Sequence, residues 1–330
     1  MSDALYDLDK TYIRNPVVEF TVFSDSGEHY FQHNYIDFSI EKDRDEEPNT
    51  ANLTIYNLNE TSRKELIILA REQAPIEINV TPYNETELHL VFRGELENVR
   101  NRYDRPGHST EIDCVSQKLQ HRFMYLDRNY AAGTPVTEII DDLTETMGLP
   151  VQSAELPTES LIISQTIRGP AYPSFKKLMM DYGYYCFVTD GVVYVTKHNV
   201  ALNETPRLIL NKYLLGPPNE TKISDDQDVE MRTILQLSEF GRVKKKKKRR
   251  RQRLQESSDY ISYEAVDTTI EGLTIPLLLQ PDIQPDDLVQ FPELEDVKQS
   301  QYRVREVRHY GNNYGGDWTT ELVTSLSSDT

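Results

Sequence analysis

Residues 17–23 (VVEFTVF) alternate apolar and polar positions, a period that predicts a strand with one face turned to a core. A second strand is expected through Tyr35–Ile40, followed by a polar connection, EKDRDEEPN, closed by a proline that cannot continue a ladder. ANLTIYNL then places Leu53 and Ile55 on one strand face. The period changes after that. Ser62 followed by Glu65 has the spacing of a capping box, and Leu66, Leu69 and Ala70 continue as a short helix. Strands are expected at Ile76–Val80, Leu88–Arg93 and Glu111–Val115. Short strands, one small helix and frequent turns suggest a compact β barrel or sandwich ending near residue 125.

The middle of the chain has another rhythm. Thr134-Pro135 offers an N-cap and a proline at the first helical position. Val136, Ile139, Ile140, Leu143 and Met147 recur at helical spacing, with Gly148 placed to end the helix and Pro150 just beyond. A second helix carries Phe175, Leu178, Met179 and Tyr182 up to Gly183. YYCFVT and VVYVT follow, joined by Asp190-Gly191, the strongest hairpin signal in the chain. Residues 126–205 are therefore expected to form a small α/β module. Beyond it, strands are expected at Val229–Leu237, Tyr260–Val266, Leu273–Leu279, Asp287–Phe291, Tyr302–His309 and Trp318–Leu326, without helical periodicity. The predicted fold is mainly β with an α/β insertion: a barrel over 1–125, the module over 126–205, and a second barrel over 206–330.

Composition adds one unusual fact. The net charge of −18 is unevenly spread, because Arg242, Lys244, Lys245, Lys246, Lys247, Lys248, Arg249, Arg250, Arg251 and Arg253 supply ten of the 36 basic residues. The rest of the chain carries 26 basic against 54 acidic residues, a balance of −28. Hydrophobic residues at 38% and charged residues at 27% describe an ordinary globular mixture, and 330 residues exceed one ordinary core. No apolar run reaches membrane-spanning length, and the N-terminus shows no basic stretch leading into an apolar one, so neither membrane insertion nor a signal peptide is expected. Cys114 and Cys186 lie in apolar strand-like runs and read as buried reduced thiols, consistent with a reducing cytoplasm. Asn52, Asn59, Asn84, Asn203 and Asn219 each open an Asn-x-Thr triplet, and the Asn-Glu-Thr ones read as polar turn chemistry.

No catalytic, cofactor-binding or metal site is expected. The seven histidines are scattered and form no Cys-His cluster, and His309 reads as a packed or surface histidine. No nucleophile elbow or Gly-rich phosphate loop occurs, and Gly315-Gly316 marks a turn. The acidic cluster Glu41, Asp43, Asp45, Glu46 and Glu47, interleaved with Lys42 and Arg44 in a predicted loop, reads as solvated surface. The basic run has three readings: a mobile hydrated loop, a contact to an acidic protein surface, or a contact to nucleic-acid phosphate. It lacks interleaved aromatics, so base stacking is not supported.

Four stretches together carry a family resemblance. NTANLTIYNLNETSRKEL, VFRGELENVRNRY with TEIDCVSQKLQ, TPVTEIIDDLTETMGL with PSFKKLMMDYGYYCFVTDGVVYVT, and QYRVREVRHYGNNYGGDWTTELV occur in the order found in central baseplate hub proteins of contractile phage tails. That family is related to the base of VgrG-type spikes in type VI secretion. The resemblance spans most of residues 15–326 and implies a non-enzymatic virion structural protein, assembled in the host cytoplasm. It implies a homotrimer joining a sixfold tail tube, or a tube-initiator protein, to a threefold spike. A tape-measure protein and transiting DNA are the other implied contacts, with no cofactor. The basic run is not part of the resemblance. A tail-associated cell-wall hydrolase, the hub of a related contractile injection system, and a basic-loop nucleic-acid binder are the competing readings. The acidity of the remaining chain opposes the last of these.

Overall fold

The computed structural model describes residues 16–326 apart from 33, 45–47, 83–84, 105–106, 117–123, 154–155, 162–163, 198–200, 202, 204, 226–228, 231–263, 266–267 and 295–300. The first part contains β1 (Val18–Ser24), β2 (Gly27–Phe31), β3 (Ile36–Asp43), β4 (Thr50–Tyr56), α1 (Glu60–Arg71), β5 (Pro75–Val80), β6 (His89–Asp104) and β7 (Gly107–Val115). The middle holds β8 (Tyr125–Tyr130), α2 (Val136–Met147), β9 (Val151–Ser153), β10 (Gln165–Pro170), α3 (Ala171–Asp181), β11 (Tyr184–Thr189) and β12 (Val192–Lys197). The last part contains β13 (Arg207–Leu208), β14 (Asn219–Asp225), β15 (Val229–Glu230), β16 (Glu264–Ala265), β17 (Thr268–Leu278), β18 (Leu288–Gln290), β19 (Gln301–Asn312) and β20 (Trp318–Leu326).

The architecture is mainly β with an α/β insertion, as the alternation implies. Neither β part closes into a barrel among the described residues. Their strands instead run on as one 13-stranded sheet in the order β14-β17-β20-β19-β3-β4-β7-β6-β5-β1-β2, with β13 and β18 attached beside β19. The two parts are joined by antiparallel pairing of β3 with β19, from Asp43 opposite Glu306 to Asp37 opposite Asn312.

Apolar packing reinforces this seam. Gly311 lies opposite both Phe38 and Trp318, and a Cβ there would sit 2.6 Å from the Phe38 ring and 2.7 Å from the Trp318 indole. The missing side chain lets Trp318, 2% exposed, meet Phe38 edge-on at 5.6 Å. The indole Nε1–H donates to the Thr81 carbonyl at 3.0 Å, satisfying a donor that burial would otherwise strand. Trp318 and Leu279 thereby belong to the same hydrophobic cluster as residues of β1–β7, although they lie far along the chain. A third-part cluster gathers Ile275, Val289, Phe291, Val304 and Leu322.

The middle segment has its own cluster, drawn from residues 126–195. The predicted stripe Val136, Ile139, Ile140, Leu143 and Met147 is buried along α2, and Gly148, at φ 65°, ends it with its N–H on Thr144 O at 2.9 Å. Asp190 and Gly191, at φ 51° and 79°, form the predicted tight turn between β11 and β12.

Several local expectations shift. Helix α1 starts at Glu60, and its cap is Asn59, whose side chain accepts from Ser62 N at 2.8 Å; Ser62 is in the first turn and caps nothing. Helix α2 is preceded by an extended Pro135 without a side-chain cap, so Thr134 is one position too early for that role. Strand β6 runs eleven residues past Arg93, because cross-strand charge pairs replace apolar alternation: Arg100–Asp113 at 2.8 Å and Arg102–Glu111 at 2.7 Å.

The buried stripe of α2 generates a direct test. Ile140→Asp, which puts an unpaired carboxylate into that cluster, is expected to cost about 3–5 kcal/mol in chemical unfolding. An unchanged denaturation midpoint would contradict the packing of α2.

Candidate functional site

Strand β3 turns Ile36, Phe38 and Ile40 inward with period two, and the same phase carries Lys42 and Arg44 inward next. Both are buried, which corrects the expectation that they lie in a solvated loop. Glu41 keeps the outward position; Asp45, Glu46 and Glu47 fall outside the described residues. Burial of a cation is tolerable when opposite charge and acceptors come with it, and here they converge from the rest of the chain.

Lys42 Nζ reaches Asp190 Oδ2 at 2.7 Å and Gln284 Oε1 at 3.1 Å. The first partner is the turn between β11 and β12, and the second precedes β18. Arg44 Nε lies 3.0 Å from Asp286 Oδ1, which also accepts from Arg303 Nε of β19 at 2.7 Å. The Arg44 guanidinium sits over the Tyr185 ring at 4.6 Å, and the Tyr185 hydroxyl donates to the Arg44 carbonyl. Asp190 Oδ1 accepts from Arg93 N at 3.0 Å, and Asn49 Nδ2 donates to Thr189 Oγ1 at 3.2 Å. The three stretches of chain thus meet where β3 leaves the sheet, through charge and hydrogen bonds. Nearby His309 is fully buried opposite Ile40 and shares a hydrogen bond with Thr320 Oγ1 at 2.9 Å. Burial, then the Lys42 charge, pushes its pKa down to about 3, so it is a neutral core histidine.

The outward face of the same seam is acidic. Arg308 stands opposite Glu41 on β3 and Glu321 on β20, within 3.1 Å and 3.4 Å of their carboxylates, and also contacts Glu306. Glu41 and Glu306 hydrogen-bond to each other; burial and then Glu41 push the Glu306 carboxyl up to about 7, while the bond to Glu306 lowers Glu41.

The predicted contact residues, Arg242, Lys244–Lys248, Arg249–Arg251 and Arg253, lie outside the described residues. What is described is the chain on either side. β14 pairs with β17, and in the continuing hairpin Val229 pairs with Ala265 and Glu230 with Glu264. Cys114 and Cys186 are both buried and not joined in a disulfide, and burial raises the Cys114 thiol pKa.

Residues 17–234 match the family model described as baseplate hub gp41. This chain belongs to the baseplate hub gp41 family. No curated protein matches the hub sequence. Solved structures similar to the hub include the tail protein from Neisseria meningitidis MC58, at 12% identity and TM-score 0.57, covering 94% of this chain and 96% of that one. The 43 kDa tail protein of prophage MuSo2 from Shewanella oneidensis is similar at 10% identity and TM-score 0.59, covering 94% and 98%. An E. coli component of the type VI secretion system, described as structurally similar to T4 tail proteins, gives 8% identity and TM-score 0.50 over 89% and 74%. At such identities the likeness is one of fold. Family membership makes the chain a structural protein of the phage tail baseplate.

Glu306 gives this surface a pH signature. An unfolded glutamate releases its proton near 4.5, whereas the folded one holds it to about 7. Between those values the unfolded state is the one that gains from deprotonation, so Glu306 lowers stability as pH rises. Relative to Glu306→Gln, the wild type should lose about 1–2 kcal/mol between pH 4.5 and 7.5, a figure discounted for screening at a partly solvated site. Denaturant titrations of both proteins check this; parallel profiles would exclude a raised Glu306 pKa.

Proposed function

We propose that the hub is a homotrimeric symmetry adaptor of a contractile tail, joining the hexameric tube to the trimeric spike and lining part of the genome-delivery channel. The observation that carries this reading is the β3·β19 pairing, which fuses two β parts of one chain into a single sheet. Three such chains present six β units, a count that suits a sixfold tube above and a threefold spike below. Its work is interface matching, without bond-making chemistry. The large acidic excess outside the basic run would repel DNA phosphate and let a genome pass without adhering.

The segment Arg242–Arg253 serves an acidic neighbour in this proposal: another hub subunit, a tape-measure terminus or transiting DNA. Ten clustered cations do not share a dry core, and their attraction for an exposed acidic surface is screened within about 8 Å at physiological salt.

Light scattering should give three times the chain mass for the purified hub alone, and that mass plus the mass of the spike when the spike is bound. A strict monomer at micromolar concentration in both conditions would refute the adaptor. Replacing Lys244–Lys248 by Ser should leave that mass intact and weaken one salt-sensitive step, either particle assembly or genome delivery. Normal assembly and delivery at every salt concentration would leave the basic run without a partner role.

A further inference from the structure

The hub is held together by two different kinds of contact. Where the two β parts meet, an apolar seam of Phe38, Gly311 and Trp318 merges them into one core. The module of residues 126–197 keeps a separate core, whose members all come from its own stretch of chain. Its β11–β12 hairpin sends Tyr184, Cys186 and Val188 into that core. The alternate residues Tyr185, Phe187 and Thr189 form the other face of β11, where the Tyr185 ring stacks under Arg44 and Phe187 stacks on Tyr194 at 5.5 Å. What attaches this face is the set of contacts made by Lys42, Arg44, Asn49 and the Arg93 amide.

We propose that the module is a separable body held to the sheet by a buried charge latch centred on Lys42–Asp190, so that neutralising one member releases it while both cores stay folded. Lys42 is fully buried, and its partner carboxylate belongs to the module. With that carboxylate neutralised, the cation keeps only the Gln284 oxygen and is left in a dry site. A chain in that state gains more from lifting the hairpin and hydrating Lys42 than from keeping it docked. With both charges removed, the penalty disappears and docking returns. Release would bare Tyr185 and Phe187, an aromatic pair on a surface of the kind proteins use for binding.

Two single variants and their combination test the latch in the full chain. Asp190→Asn suits the left-handed turn and retains an amide oxygen for the Arg93 N–H, so it removes charge and little else. Lys42→Met keeps the length of the side chain. Hydroxyl-radical footprinting reads the burial of each ring. In either single variant, oxidation of Tyr185 and Phe187 should rise at least fivefold, while Phe175 in the module core and Trp318 in the sheet core stay protected. The double variant should return Tyr185 and Phe187 to within about twofold of wild type. The proposal is overturned by unchanged protection of Tyr185 and Phe187 in both single variants, or by Phe175 and Trp318 oxidising in step with them. A single variant that does not fold overturns it as well, since release with intact cores is the claim. So does a double variant that remains as exposed as the single ones.

Discussion

Two cations placed two residues apart, Lys42 near the end of β3 and Arg44 just past it, bring distant stretches of this chain together. Lys42 and Arg44 follow Ile40 in phase, so they enter a dry region together with the apolar face of β3. A dry cation needs a carboxylate and further acceptors. The chain supplies them from two distant stretches: Asp190 at the tip of the module, and Gln284 and Asp286 beside β19. Hydrophobic contact is indifferent to direction, but a 2.7 Å ion pair in a low dielectric is not, and it admits one arrangement of three bodies. The net energy of such a pair is small; its contribution is to specify position.

The two β parts and the module therefore differ in how firmly they are joined. Trp318 reaches across β19 and β3 to Thr81 and Phe38, which makes the seam a continuous core. The module is attached by polar and aromatic contacts, and its own core draws its members from residues 126–195 alone.

Much of this was legible from the chain. The stripe of α2, Gly148 at its end, the Asp190-Gly191 turn and strand β20 follow from short-range rules: period, left-handed caps and turn chemistry. The family resemblance rested on the order of four such stretches. What escaped was long-range. The alternation Ile36, Phe38, Ile40, Lys42, Arg44 is visible in the sequence, but charge at its last two positions reads as solvent exposure unless Asp190 and Asp286 are known to lie opposite. The extension of β6 to Asp104 was hidden for a related reason, since its support is a ladder of arginine–carboxylate pairs supplied by β7. Fusion of the two β parts into one sheet depends on Gly311 and Trp318 meeting Phe38, and neither strand announces its partner.

The β3·β19 pairing also governs the order in which the chain can mature on the ribosome. Residue 37 pairs with residue 312, a separation close to the full length of the chain. Contacts so distant in sequence are slow to form, because loop closure precedes any reward. Until β19 emerges, β3 presents one unpaired edge, with Lys42 and Arg44 at its end. Charges next to a bare strand edge discourage pairing with the wrong chain. The two cations that fix the joint in the folded chain thus also flank the edge that a chain without its last strands would leave bare.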